Sequence, residues 1–224
     1  VSLLLICHIA LCFSEIVTDS LVAYYKFHNY GIDNSGNSNH LTFRGECLVG
    51  PDRHGTEKSA YYGNGKDCYS ISSNKIGFSG NSQRTISFWL NAKRGDHTQA
   101  VFSMGDSLKN SAFTLLLENE KMFLCLAGNE KTWDTGIKPM FGNWQFYSIV
   151  HDGEKTQIYV DAQLAGNKEG FIHNYETVPS SFYLAKNIFD ENSFFEGALD
   201  EVAVYNKALD DEEVRVNYLN GNRY

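Results

Sequence analysis

Short runs of alternating apolar and polar residues, separated by Gly, Asn or Asp, recur along the chain from about Ser20 onward. The alternation is clearest in Thr85–Leu90, where Ile86, Phe88 and Leu90 fall on one face. Because successive side chains of a strand point to opposite faces, the pattern predicts half-buried antiparallel strands. The predicted strands are Leu21–Phe27, Leu41–Gly45, Ser59–Tyr62, Asp67–Ser72, Arg84–Ala92, Ala100–Met104, Ala112–Glu118, Lys121–Ala127, Trp144–His151, Thr156–Asp161, Ala162–Gly166, Ser181–Ala185 and Glu196–Tyr205.

One segment, Ala208–Leu219, has the pattern of a helix. Asp210 or Asp211 is suited to its N-cap, and Val214 and Tyr218 lie four residues apart on one face. The chain has no Pro/Ser-rich linker and no long internal repeat, so we expect a single domain. The pattern predicts an all-β, two-sheet antiparallel sandwich with one short C-terminal helix.

The first residues of the chain, Val1 to Phe13, form an uncharged apolar run that is too short to span a bilayer. We interpret residues 1–14 as a secretory signal peptide, truncated at its N-terminus, and residues 15–224 as the domain. The alternatives are a buried strand or an N-terminal anchor. No later run is long and apolar enough for a membrane span, so we expect a secreted, extracellular protein without membrane insertion.

Composition and charge narrow the class of partner. The 224 residues are 42% hydrophobic and 14% aromatic, and 19 Lys and Arg against 27 Asp and Glu give a net charge of -8. Nucleic acid needs a basic surface to neutralise its phosphates, and the chain has no basic cluster. An acidic surface is compatible with cations and with neutral ligands.

The cysteines agree with an oxidising compartment. Cys47 and Cys68 are a near pair, and a disulfide between them would stabilise the fold by about 3 kcal/mol. Cys125 is then single, and its apolar run Met122–Leu126 predicts a buried, unreactive thiol.

Catalytic carboxylates are not evident. A glycosidase of the sandwich type needs two carboxylates on one face, and Glu118 and Glu120 share a face without a third carboxylate. A strand end and a turn explain both residues equally well. Trp133 stands in a polar stretch and is expected in an exposed loop, where its ring can stack on a sugar.

Two oxygen-rich places are candidates for cation binding. The segment Asp33–Asn37 is dense in oxygen ligands but is no EF-hand, and an Asx-turn is the alternative. Asp200 is expected on the same side as Val202 and Val204, facing the core. A carboxylate there needs a cation or several N–H donors to offset its desolvation.

Taken in order, seven segments resemble the laminin G-like branch of the concanavalin A-like lectin/glucanase superfamily. They are Leu21–Phe27, Asp33–Leu41, Thr85–Leu90, Trp144–Tyr147, Asp152–Gly153, Ile158–Asp161 and Phe195–Leu209. The resemblance implies a concanavalin A-like jelly roll. The family does not fix whether Cys47 and Cys68 form a disulfide. The resemblance also implies a structural calcium ion held by Asp33, Asn37 and Asp200.

The function that the resemblance favours is a secreted, non-catalytic recognition module for a glycan or an extracellular protein. One alternative is an adhesion or matrix protein without a sugar site. Another is a glycan-cleaving hydrolase or lyase. A jelly roll by itself does not decide among them.

Overall fold

A computed structural model describes residues 16–76, 78–105, 112–126, 131–170 and 180–221, and the predicted signal peptide lies outside them. The strands in these ranges are β1 (Leu21–Tyr25), β2 (Leu41–Arg44), β3 (Leu48–Gly50), β4 (Ala60–Asn64), β5 (Tyr69–Ser72), β6 (Arg84–Ala92), β7 (Gln99–Met104), β8 (Phe113–Glu118), β9 (Lys121–Leu126), β10 (Lys131–Asp134), β11 (Gln145–His151), β12 (Lys155–Val160), β13 (Gln163–Glu169), β14 (Tyr183–Leu184), β15 (Lys186–Asn187), β16 (Asp190–Phe194) and β17 (Glu196–Tyr205). The helix is α1 (Asp211–Gly221).

The strands form two large antiparallel sheets and one small hairpin. The eight-stranded sheet has the order β13-β12-β11-β6-β17-β4-β3, and β1 pairs with the second half of β17. The seven-stranded sheet has the order β10-β9-β8-β7-β14-β5-β2, and β15 and β16 pair with each other. The predicted two-sheet antiparallel sandwich with one short C-terminal helix is confirmed.

The core lies between the two sheets and is rich in aromatic rings. Phe88 of β6 meets Phe102 of β7 at a ring-centroid distance of 6.1 Å, and Tyr147 of β11 stacks on Phe88 at 5.9 Å. All three side chains are buried. The alternation in β6 therefore sends Ile86, Phe88 and Leu90 into the core, as the sequence predicts.

Helix α1 covers part of the outer face of the eight-stranded sheet. Asp210 caps it, because the Asp210 carboxylate accepts the Glu213 N–H at 2.8 Å and Glu213 accepts the Asp210 N–H in return. Val214 is buried, and Tyr218 stacks on Trp89 of β6. In the part of the chain that the structure describes, no helix combines the length and apolar character that crossing a membrane requires.

Four short strands are absent from the sequence prediction: β3, β10, β15 and β16. Two of them, β15 and β16, form a hairpin whose sequence, from Lys186 to Phe194, is mostly polar and lacks an apolar alternation. Ser103 of β7 donates its hydroxyl to the Lys186 carbonyl at 2.6 Å. Docking onto the seven-stranded sheet therefore helps to hold this hairpin, and local periodicity does not reveal it.

The structure pairs Cys47 with Cys68 at a Cα–Cα distance of 4.9 Å, which leaves Cys125 as a free cysteine in the described part of the chain. Cys125 is buried, and burial raises the pKa of its thiol to about 11. A thiol of this kind stays protonated at neutral pH and is a poor nucleophile. The prediction of an unreactive Cys125 agrees with this environment.

Candidate functional site

Trp133 is placed differently from the sequence prediction. It lies in β10, its side chain is only 8% exposed, and it joins the core between the sheets. The prediction of an exposed loop was wrong because Lys131–Asp134 pairs with β9 as an edge strand, and strand alternation turns the indole inward. Trp133 is therefore not presented for stacking on a sugar ring.

The Asp33 carboxylate has a complete set of hydrogen bonds within the protein. Its Oδ1 accepts the N–H groups of Tyr24 and Ser35, both at 2.9 Å. Its Oδ2 accepts the Ser35 hydroxyl at 2.9 Å and the Asn39 N–H at 2.8 Å. Two carboxylate oxygens offer about four acceptor positions, so Asp33 is saturated. It ties the Asp33–Asn37 segment to β1.

Asn37 serves the same attachment. Its side-chain Nδ2 donates to the carbonyl oxygens of Leu21 at 2.8 Å and Val22 at 3.1 Å. The alternative of an Asx-type turn describes this segment well, since the Ser35 N–H bonds to the carboxylate two residues before it.

Asp200 lies on the opposite face from the one predicted. Asp200 is the cross-strand partner of Trp89, which packs with Val214 of α1 on the outer face of the sheet. Val202 and Val204 face the core between the two sheets. A β-bulge explains the difference: the register shifts after Asp200, and Glu201 has a positive φ of 47°. The extra residue in the strand reverses the alternation at this point.

The cation that offsets the burial of Asp200 is an arginine. Arg53 Nη1 lies 2.5 Å from Asp200 Oδ2, and Arg53 Nη2 lies 3.2 Å from Glu201. The Arg53 and Asp200 side chains are 5% and 4% exposed, and the guanidinium lies 4.6 Å from the Trp89 ring centroid. Burial raises the pKa of Asp200 to about 8, against the lowering effect of Arg53. The sequence does not mark Arg53 as the partner of Asp200, because Arg53 is an arginine in a loop 147 positions away.

Asp33, Asn37 and Asp200 therefore do not fit a calcium site as they are placed. The acceptor positions of Asp33 are filled, the Asn37 amide donates to backbone carbonyls, and Asp200 faces a guanidinium. Among the described residues, no group of three or more His, Cys, Asp or Glu side chains is arranged to hold a metal. Calcium binding itself stays a prediction from the resemblance.

Metal removal tests this point. We expect the melting temperature to be the same in EDTA and in millimolar Ca²⁺, because the buried carboxylates already have protein partners. Differential scanning calorimetry of the same sample in both buffers measures it. A melting temperature that falls in EDTA and recovers with Ca²⁺ would contradict this expectation and support the calcium ion that the resemblance implies.

Several surface cavities formed by the described residues have polar linings. The first, here the Arg53 pocket, has a volume of about 360 Å³ and is lined by Lys26, His28, Asp52, Arg53, His54, Thr56, Asp200 and Glu201. Two buried side chains in its lining, Arg53 and Asp200, contact each other. Asp52 accepts the N–H groups of His54 and Thr56, both at 2.8 Å, so it shapes the loop.

The second cavity, here the outer groove, has a volume of about 210 Å³ and lies on the outer face of the seven-stranded sheet. Its lining residues are Thr98, Leu116, Glu118, Phe123, Cys125, Thr132, Asn187, Asp190 and Ser193. Alternation builds the floor, because Leu115, Leu117, Met122 and Leu124 point into the core. Their neighbours on β8 and β9 therefore face outward.

The β15–β16 hairpin supplies the wall of the outer groove. Asp190 accepts the Asn192 N–H at 2.9 Å on Oδ1 and the Ser193 hydroxyl on Oδ2. These two hydrogen bonds lower the pKa of Asp190, the one from Ser193 most. On the floor, Thr98 donates its hydroxyl to Glu118 Oε1 at 3.1 Å. Both carboxylates are thus oriented by hydroxyl donors.

Sequence reasoning missed this groove almost entirely. Only Glu118 was considered as a functional residue, and then as a candidate catalytic group. Its former partner Glu120 lies in the β8–β9 turn and pairs with Arg94. The other groove residues come from segments distant in the chain, so no local motif marks them.

The fold and the groove together define a two-sheet antiparallel jelly-roll sandwich with a polar cavity on an outer sheet face. The chain belongs to the concanavalin A-like lectin/glucanases superfamily, whose family model matches residues 64–215. No curated protein matches the chain.

Solved structures share the fold. Domain 4 of AbnA, a GH43 extracellular arabinanase from Geobacillus stearothermophilus solved in complex with arabinotriose, is 21% identical with a TM-score of 0.72; the match covers 88% of this chain and 97% of that one. The receptor binding domain of botulinum neurotoxin C/D mosaic serotype is 15% identical with a TM-score of 0.70, covering 91% of this chain and 52% of that one. The binding domain of botulinum neurotoxin DC, solved with rat synaptotagmin II, is 15% identical with a TM-score of 0.70, covering 93% of this chain and 53% of that one. This chain thus spans about half of each toxin domain.

Proposed function

We propose that this chain is a secreted, non-catalytic module that binds a carbohydrate in the outer groove. The observation that carries the proposal is the groove lining, which combines hydroxyl, amide and carboxylate groups with the half-buried ring of Phe123. Sugars present hydroxyls that bond to such groups and C–H faces that pack on aromatic rings. The arabinotriose complex of the AbnA domain supports the same class of ligand.

A non-catalytic role of the outer groove is supported by the state of its carboxylate Asp190. A glycosidase needs one carboxyl group with a raised pKa to protonate the leaving oxygen. The pKa of Asp190 is lowered, because Ser193 and Asn192 stabilise its charged form. Asp190 is thus suited to accepting hydrogen bonds from a ligand rather than to donating a proton.

Secretion is supported by the Cys47–Cys68 disulfide, which persists in oxidising compartments and is uncommon in the cytosol. The apolar N-terminal run agrees with an export signal.

A glycan array probed with the purified chain tests the proposal. We expect saturable binding to a subset of glycans, and a loss of about two- to tenfold in affinity for Phe123→Ala, since an aromatic contact of this kind is worth about 0.5–1.5 kcal/mol. The matched control is Leu164→Ala, an exposed apolar residue on β13 of the other sheet. It should bind like the unaltered chain.

The outcomes separate the alternatives. If the chain binds no glycan of a broad array, the carbohydrate site is contradicted and an adhesion role through protein contacts is favoured. Binding that survives Phe123→Ala but is lost in His54→Ala places the ligand in the Arg53 pocket instead. Release of reducing ends from a bound glycan, abolished by Glu118→Gln, would overturn the non-catalytic role.

A further inference from the structure

Among the residues that the structure describes, the charge of the outer groove is of one sign. None of the nine described lining residues is basic, while Glu118 and Asp190 carry carboxylates, one on the floor and one on the wall. Lys121 and Lys186, on strands that border the groove, have other partners. Lys121 pairs with Asp134 at 2.7 Å, and the Lys186 ammonium lies 4.5 Å from the Tyr69 ring centroid.

Both carboxylates are held in place and keep acceptor capacity. A carboxylate offers about four acceptor positions, and among described residues Asp190 uses one on each oxygen. Glu118 receives one hydroxyl, from Thr98. Fixed acceptors with remaining lone pairs are suited to the O–H groups of a polyol, because no ordering has to take place when the ligand binds.

An anionic ligand meets the opposite situation. A sulfate, sialate or uronate group in the groove would lie beside two carboxylates with no cation among the described lining residues to compensate, and like charges placed together disfavour a complex. The net charge of -8 on the whole chain adds repulsion at long range.

We propose that the outer groove selects neutral, hydroxyl-rich glycans and rejects acidic ones, with the Glu118 and Asp190 carboxylates accepting hydroxyls of the sugar. This selection rests on the proposed function, because it assumes that the groove is the carbohydrate site. It assigns to the two carboxylates both the affinity for neutral sugars and the rejection of acidic sugars.

Titration with matched glycan pairs tests the selection. The pairs are xylotetraose with its glucuronic acid-substituted form, and N-acetyllactosamine with its sialylated form, supplemented by the neutral and acidic forms of any array hit. We expect the neutral member of a bound pair to bind at least about tenfold more tightly at low salt, and the gap to narrow at high salt as charges are screened.

Variants connect the effect to the two residues. Glu118→Gln is expected to weaken neutral-glycan binding by about tenfold or more, since a charged acceptor is lost. The double variant Glu118→Gln/Asp190→Asn is expected to reduce the difference in affinity between the neutral and the acidic glycan of a pair, because both negative charges are removed. Glu191→Gln is the matched control, because Glu191 is an exposed carboxylate on the same hairpin outside the lining. Circular dichroism checks that each variant is folded.

Acidic glycans that bind as well as neutral ones would overturn the selection and leave the carbohydrate site standing. A gap that is unchanged by salt and by the double variant would also overturn it, because rejection would then have a steric cause. An array without any hit contradicts the proposed function and the selection together.

Discussion

Replacement of Arg53 by alanine is expected to lower the free energy of unfolding by about 3–5 kcal/mol at pH 9, the range for breaking a buried ion pair. The guanidinium is the cation next to Asp200 and also contacts Glu201 and the Trp89 ring. Without it, the Asp200 carboxylate would remain buried at the bulge of β17 without its compensating charge. Urea denaturation of the purified variant measures the loss.

The size of this loss depends on pH. Burial raises the pKa of Asp200 to about 8 from a usual value of 3.8. Between these values the folded chain holds a proton that the unfolded chain releases, so this residue makes stability fall as pH rises towards 8. Alanine at position 53 removes the group that lowers this pKa. The cost of Arg53→Ala is therefore expected to be greater at pH 9 than at pH 6.

Two controls separate charge from packing. Arg94→Ala removes an arginine that is also paired with a carboxylate, Glu120, but is largely exposed, and it should change stability by less than about 1 kcal/mol. Arg53→Met/Asp200→Asn removes both charges and should lose less than Arg53→Ala. Equal losses for Arg53→Ala and Arg94→Ala at pH 9 would contradict the role of Arg53.

Reduction of the Cys47–Cys68 disulfide is expected to lower the free energy of unfolding by about 3 kcal/mol, because the unfolded chain gains the freedom of the opened loop. Dithiothreitol in a thermal or urea titration measures the effect. The double variant Cys47→Ala/Cys68→Ala should show a similar loss without reductant.

The same variants supply the controls for the disulfide. Dithiothreitol should have no further effect on Cys47→Ala/Cys68→Ala, whereas it should destabilise Cys125→Ala as much as the unaltered chain, because Cys125 is a free cysteine. If the unaltered chain melts identically with and without dithiothreitol, the disulfide does not form or does not contribute to stability.

Several elements of the fold were predictable because the information is local. The alternation of β6 sends Ile86, Phe88 and Leu90 to one face, and the same period defines most of the long strands. The helix start was predictable from Asp210, whose carboxylate caps it. These signals depend only on residues a few positions apart.

Two predictions failed where local alternation meets a tertiary feature. Asp200 was expected on the face of Val202, but the bulge at Glu201 turns it towards Arg53, 147 positions away. Trp133 was expected in a loop, but pairing with β9 makes its segment an edge strand and buries the indole. Neither a bulge nor an edge pairing has a signal in the residues concerned.

The sequence by itself determined the all-β class, the main strands, the capped helix and the net charge of -8. Only the tertiary structure decided which carboxylates share a site. The outer groove joins Glu118 and Thr132 to Asp190 and Ser193 through strand pairing and a docked hairpin. The physical reason is that the burial pattern of a strand depends on residues next to one another in the chain. A binding surface is formed by side chains that only long-range pairing brings together.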